Sequence, residues 1–141
     1  MFNGIIYKLG TVSKIIKKRD YSELILKTDL KFKRSEIGSS LCCDGTCLTI
    51  TKIQNNLVFF YISKETLRRT NFAHVTSGSL INIEKSISYG AKVSGHYVQG
   101  HVDTTAKVLK IVTSNKSWVV FFKISKIYQK LLIEKGSISV N

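Results

Sequence analysis

Through its first half and a little beyond, the chain sets short apolar-rich runs between clusters of polar turn residues, the pattern of successive β-strands. Five segments carry this pattern and are rich in Ile, Val, Leu, Thr, Tyr and Phe: NGIIYKLGTVSKI (3–15), YSELILKT (21–28), CLTITKI (47–53), NLVFFYIS (56–63) and SLINIEKS (79–86). Turn residues divide them at Lys18-Arg19-Asp20, Asp44-Gly45, Asn55-Asn56 and Ser77-Gly78-Ser79. Helical spacing is confined to SKETLRRTN (63–71), where Ser63 is placed to cap the first turn, and SKIYQKLLIEK (125–135). Strands at this spacing predict an all-β fold, a small antiparallel barrel or sandwich. The chain has no proline, so glycine and asparagine must form its turns.

The pattern also repeats. MFNGIIYKLGTVSKI (1–15) aligns with YVQGHVDTTAKVLKI (97–111), placing Gly4 on Gly100, Val12 on Val108, Lys14 on Lys110 and Ile15 on Ile111. GSSLCCDG (38–45) aligns after one gap with GSISVN (136–141). The segments between share an order: strand, short amphipathic stretch, glycine. The expected organisation is one barrel over residues 1–96 and the start of a second, incomplete copy over residues 97–141. An incomplete antiparallel barrel leaves strand edges unpaired.

Composition narrows the class. A hydrophobic fraction of 43% in 141 residues is that of a folded domain, not a disordered chain. No apolar run is long enough to span a bilayer, and the N-terminus lacks a secretory pattern. Three cysteines, two of them adjacent, suit a reduced, cytoplasmic setting better than a disulfide framework. The net charge of +13 comes mostly from lysines scattered singly or in pairs. Nucleic-acid readers concentrate arginine and aromatic residues on one surface, so lysine-biased composition explains the charge better than a nucleic-acid partner.

Two stretches invite chemistry. In SGHYVQGHVD (94–103), His96 and His101 stand five apart, which puts them on opposite faces of a strand and well apart around a helix. Neither arrangement brings both onto one ion. CCDGTC offers no C-x-x-C pair, so no metal site is expected. In DGTCLTIT (44–51), Cys47, Thr49 and Thr51 share one strand face, while Leu48 and Ile50 share the other. That polar row fits a pocket wall, but pattern alone favours a half-buried strand with its polar side in water.

Together, MFNGII, DGTCLTIT, KETLRRTN, GHYVQGHVD and EKGSISVN resemble, in order and spacing, the riboflavin synthase family, and the resemblance covers essentially the whole chain. It implies a six-stranded antiparallel Greek-key barrel in tandem copies. The implied reaction is the transfer of a four-carbon unit between two molecules of 6,7-dimethyl-8-ribityllumazine, giving riboflavin and 5-amino-6-(ribitylamino)uracil without metal or cofactor. It further implies a homotrimer with the site between barrels of neighbouring subunits.

Carried over by motif, Gly4, Ile5 and Ile6 would meet the ligand with Phe2 packed nearby. Cys47, Leu48 and Thr49 would line its ring and side chain. Tyr61, Ile62, Ser63, Lys64, Glu65 and Thr66 would meet the pyrimidinedione and ribityl groups. His101, flanked by Gly100 and Val102, is the preferred acid–base or polar group, with Cys47 as the second catalytic candidate; Lys135 matches a ligand-contacting lysine of the second barrel. Asn3 and Ser94 depart from the family pattern without altering a matched contact. The second G-x-S-L-T strand and the C-terminal helix of the family are missing, so ligand binding with little turnover is expected of this chain. The alternatives are a lumazine- or flavin-binding protein that does not convert its ligand, and a basic nucleic-acid barrel. Pairing of lone barrels in place of the missing partner is a hypothesis that sedimentation at several concentrations tests.

Overall fold

The computed structural model describes all 141 residues, which fall into two compact units: Met1–Val102 with Ser139–Asn141, and Asp103–Ile138. In the first unit, β1 (Lys8–Lys17), β2 (Tyr21–Lys27), β3 (Ser40–Cys43), β4 (Thr46–Gln54), β5 (Leu57–Ser63) and β6 (Leu80–Lys85) form a closed barrel in the order β1-β2-β5-β4-β3-β6. Every neighbouring pair is antiparallel, and β6 pairs with β1 to close the ring. The fold is therefore all-β, and closure leaves no free sheet edge in this unit.

The alternation of side chains along each strand sets which of them fill the barrel. Val12, Leu24, Leu26, Leu41, Cys43, Leu48, Ile50, Val58, Phe60, Ile62, Ile81 and Ile83 form one buried cluster. Leu24 and Ile50 each stand opposite Phe60, and Leu26 stands opposite Val58. A slip of one residue would turn each of these outward, so the core itself fixes the register. Bulges between Val12 and Lys14 and between Ile50 and Lys52 bend β1 and β4 for closure.

Past β5 the chain plugs the barrel end. The Ser63 hydroxyl accepts the Thr66 amide at 3.1 Å and starts α1 (Lys64–Arg69). Thr70 then caps a 3-10 turn, Asn71–His74, whose Phe72 is buried in the core with Leu67 and Val75 packed alongside.

The expected strand over 3–15 proves to be two features: an extended lead over the first residues, then β1 from Lys8. The strand β3 was not foreseen. Leu41, Cys42 and Cys43 are all buried, so the segment shows no alternation to detect. Asp44 and Gly45 link it to β4 with positive φ of 43° and 71°, a tight two-residue hairpin.

The second unit holds β7 (Lys107–Ser114), β8 (Ser117–Lys123) and α2 (Lys126–Gln129). Its hairpin reproduces β1–β2 position for position. Val12 pairs with Leu26 and Lys14 with Ile25, with a bulge between; Val108 pairs with Phe122 and Lys110 with Phe121, with a bulge between. The offset is 96 throughout (108 − 12, 122 − 26), the offset of the sequence repeat. Both faces of the hairpin are largely exposed, including Trp118 and Phe121. The helix expected over 125–135 shortens to α2 because, within this unit, it has no apolar surface against which to bury Ile127, Leu131 and Leu132, all exposed.

Candidate functional site

The outward row of β4 carries the residues singled out from the sequence. Leu48 and Ile50 point into the core, so Cys47 and Thr49 look out; Cys47 is half-buried and Thr49 exposed. Toward the end of β5 the outward residues are Tyr61 and Ser63, and the ring of Tyr61 stacks on Tyr21 of β2 at 4.9 Å. The start of α1 follows immediately, so Cys47, Thr49, Tyr61, Ser63 and Thr66 occupy one end of the barrel's outer face.

A strap crosses that face. The carbonyl of Gly100 accepts the Cys47 amide at 2.8 Å, placing His101 and Val102 directly after the contact. Gly100 has φ +76°, and a Cβ there would lie 2.8 Å from the Cys47 nitrogen. Only glycine meets both demands. Gly4, its partner in the repeat, has φ +73°, so both copies enter by the same backbone turn.

The strap is in turn held by the first residues of the chain. Phe2 and Val98 exchange backbone bonds at 2.8 and 3.0 Å, and the Asn3 carbonyl accepts the His96 amide at 3.1 Å. Phe2 is fully buried. Beneath this double layer, outward-facing Cys42 pairs across the sheet with Cys47 on one side and with Glu84 on the other. That cover explains why two residues outside the barrel, Cys42 at 3% and Glu84 at 4% exposure, are nonetheless buried.

Burial pushes the Cys42 thiol up to about 12, with the nearby Glu84 carboxylate adding to the effect, and raises the wholly buried Cys43 well above its ordinary value. Neither is a nucleophile at neutral pH. Iodoacetamide at pH 8 should therefore add one carbamidomethyl group, on half-exposed Cys47, as read by intact mass and peptide mapping. Two or three rapid adducts on the folded chain would show that the cover over Cys42 is absent.

Of the residues expected at a ligand, the structure brings together Cys47, Thr49, Tyr61, Ser63, Thr66, Gly100, His101 and Val102. Leu48 and Ile62 belong to the barrel interior, so only their backbone reaches the outer face. Lys64 pairs with Asp20 at 3.2 Å, and Glu65 is held by Arg69 and Arg68, which lower its carboxyl, Arg69 most strongly. Gly4 abuts Val98, and Phe2 underpins the strap, while Ile5 is half-buried and Ile6 exposed. Lys135 lies in the second unit, with φ +58°. Sequence reasoning passed over Tyr21, Cys42 and Glu84, because a cross-strand neighbour gives no signal in a linear pattern.

A surface cleft of about 370 Å³ lies at the opposite end of the barrel, lined by Thr28, Leu30, Lys31, Phe32, Asn55 and Asn56. It shares no residue with the strap-covered face. No cluster of His, Cys, Asp and Glu suited to a metal ion is found, and no helix is long and apolar enough to cross a membrane.

Residues 3–86 match the lumazine binding domain family. Across its whole length the chain is 35% identical to riboflavin synthase of Photobacterium phosphoreum and 33% identical to that of Escherichia coli K12, covering 65% and 67% of those proteins. Riboflavin synthase of Bacillus subtilis 168 is 31% identical, with 66% covered. The chain thus spans about two thirds of the length of these curated relatives. Among solved structures, LumP complexed with riboflavin superposes with a TM-score of 0.75 at 24% identity, over 92% of this chain and 71% of that one. LumP complexed with 6,7-dimethyl-8-(1'-D-ribityl)lumazine gives 0.73, also at 24% identity, over 89% and 70%. Barrel, repeat and matched motifs agree with these likenesses: the chain belongs to the lumazine-binding domain family, the family of the riboflavin synthases.

Proposed function

We propose that the chain binds 6,7-dimethyl-8-ribityllumazine on the strap-covered face of its closed barrel, and that the protein acts as a riboflavin synthase. The observation that carries this reading is the Gly100–Cys47 contact, which sets His101 beside the polar row of β4 in a chain matched end to end by riboflavin synthases. The reaction joins the four-carbon unit of one lumazine to a second, releasing riboflavin and 5-amino-6-(ribitylamino)uracil. One C7 methyl must lose a proton, and the resulting carbanion-like carbon attacks C7 of the other ring. The lumazine methyl is acidic enough for a weak base, so orientation of the two rings supplies much of the rate.

In this assignment His101 and Cys47 are the polar groups nearest the reacting ring, with His101 the preferred proton carrier. Thr49, Ser63, Thr66 and the backbone of Leu48 and Ile62 offer hydrogen bonds to the pyrimidinedione and ribityl edges. Exposed Tyr61 offers a flat apolar surface beside them. Phe2, Gly4, Ile5 and Ile6 frame the strap, Lys64 and Glu65 flank the α1 end, and Lys135 belongs to the second copy. That copy begins near residue 97 in our reading, the first barrel ending near 96. The assembly is a homotrimer and the location cytoplasmic, the latter in keeping with three unpaired thiols.

A fluorescence titration with 6,7-dimethyl-8-ribityllumazine, followed by a riboflavin product assay, tests the proposal. Saturable binding is expected. The 141-residue chain by itself should form little riboflavin, because it presents one closed barrel and the reaction needs two lumazines held face to face. No binding at millimolar lumazine would overturn the assignment; saturable binding with no riboflavin formed at any lumazine concentration would favour a carrier role.

A further inference from the structure

We propose that Glu84 is a positioning residue that latches the strap over the ligand face. Glu84 faces outward from β6 yet is 4% exposed, a costly place for a carboxylate unless its oxygens are satisfied. Both are. Oε1 accepts the Asn3 amide at 2.5 Å and Oε2 accepts the Gly4 amide at 3.1 Å. Two successive backbone N–H groups around a residue of positive φ make a small anion-binding nest, here filled by a carboxylate of the same chain.

From this latch the contacts run to the site without a gap. Asn3 holds His96, Phe2 holds Val98, and two residues further on Gly100 holds Cys47. Glu84, Cys42 and Cys47 form one cross-strand row directly beneath. The hydrogen bonds of Glu84 go to the backbone of Asn3 and Gly4, so it acts on the site through the first residues of the chain. Removing its charge leaves two buried amides weakly paired and lets segments 1–4 and 96–102 lift together, taking His101 with them. The inference rests on reading the strap as part of the lumazine site.

The test compares the parent chain with Glu84→Gln, nearly isosteric, and Glu84→Asp, which keeps the charge but is too short to reach both amides. The readouts are hydrogen exchange at Phe2–Gly4 and Val98–Gly100, the urea midpoint, and lumazine affinity. Glu84→Gln should lose exchange protection at those residues while Leu24, Leu26 and Phe60 keep theirs, and lumazine affinity should fall about tenfold or more. Glu84→Asp should lie between it and the parent. Unchanged protection of Asn3 and Gly4 in Glu84→Gln would overturn the latch, as would a uniform loss of protection with affinity intact, the mark of a merely structural role. Should Glu84→Gln not fold, the same readouts on Glu84→Asp decide. A parent chain that binds no lumazine defeats the functional reading, and the exchange pattern then still decides the latch.

Discussion

Gly100→Ala should uncouple the strap from β4 and weaken lumazine binding by about tenfold or more, while the barrel stays folded. The added methyl meets the Cys47 nitrogen at 2.8 Å and the Cys47 Cβ at 2.9 Å, distances that force something to move. The backbone at φ +76° adds strain for any L side chain. Together the left-handed conformation and the clash cost on the order of 2–4 kcal/mol. The cheapest relief is to break the Gly100–Cys47 bond and let the strap shift, because β4 is held on both sides by β3 and β5 while the strap is not part of the barrel sheet. Equilibrium urea unfolding and a lumazine titration on the same variant separate the outcomes. A tenfold loss of affinity with a modest change in midpoint fits the geometry. Parent-like affinity would show that the strap does not form part of the site.

Phe60→Ala should produce the largest loss of stability. Phe60 stands opposite both Leu24 and Ile50, at 2% exposure, in the middle of the closed sheet. Truncating a buried phenylalanine costs about 3–5 kcal/mol, through lost transfer energy and an unfilled cavity. A domain of this size has only about 5–15 kcal/mol in total, so the variant should unfold at much lower urea or fail to accumulate at room temperature. A midpoint within experimental error of the parent would contradict the placement of the core.

Much of this was legible in the sequence, and its limits have physical causes. Four of the five expected strands lie within a residue or so of β2, β4, β5 and β6, because each is rich in β-branched, aromatic and aliphatic residues and is bounded by turn residues. The doubly covered β3 does not alternate and went unread. The first expected strand was overextended because its opening residues, though apolar, pair with the strap and not with the sheet. The expected helix over 125–135 carries a helical stripe, but a stripe becomes a helix only where it has something to bury against. The repeat was the more penetrating signal: Gly4 and Gly100 align in sequence and share one left-handed turn, and the bulge in β1 recurs in β7.

The site divided along similar lines. Strand alternation placed Cys47 and Thr49 on one face, and that face is the outer one. Alternation also implies that Leu48 and Ile62, named by motif resemblance, spend their side chains on the core. The histidines of SGHYVQGHVD take separate places: the His96 amide binds Asn3, while His101 follows the glycine that docks on β4. Glu84, Cys42 and Tyr21 emerged only when strand pairing set distant residues side by side.

The most direct measurement is a lumazine titration of the isotopically labelled chain followed through its backbone amide resonances. The account predicts that the resonances that shift with saturation belong to Cys47–Thr49, Tyr61–Thr66 and Gly100–Val102, while those of Thr28–Phe32 and Asn55–Asn56 hold still. Shifts confined to that opposite cleft, or no saturable shift at all, would contradict it.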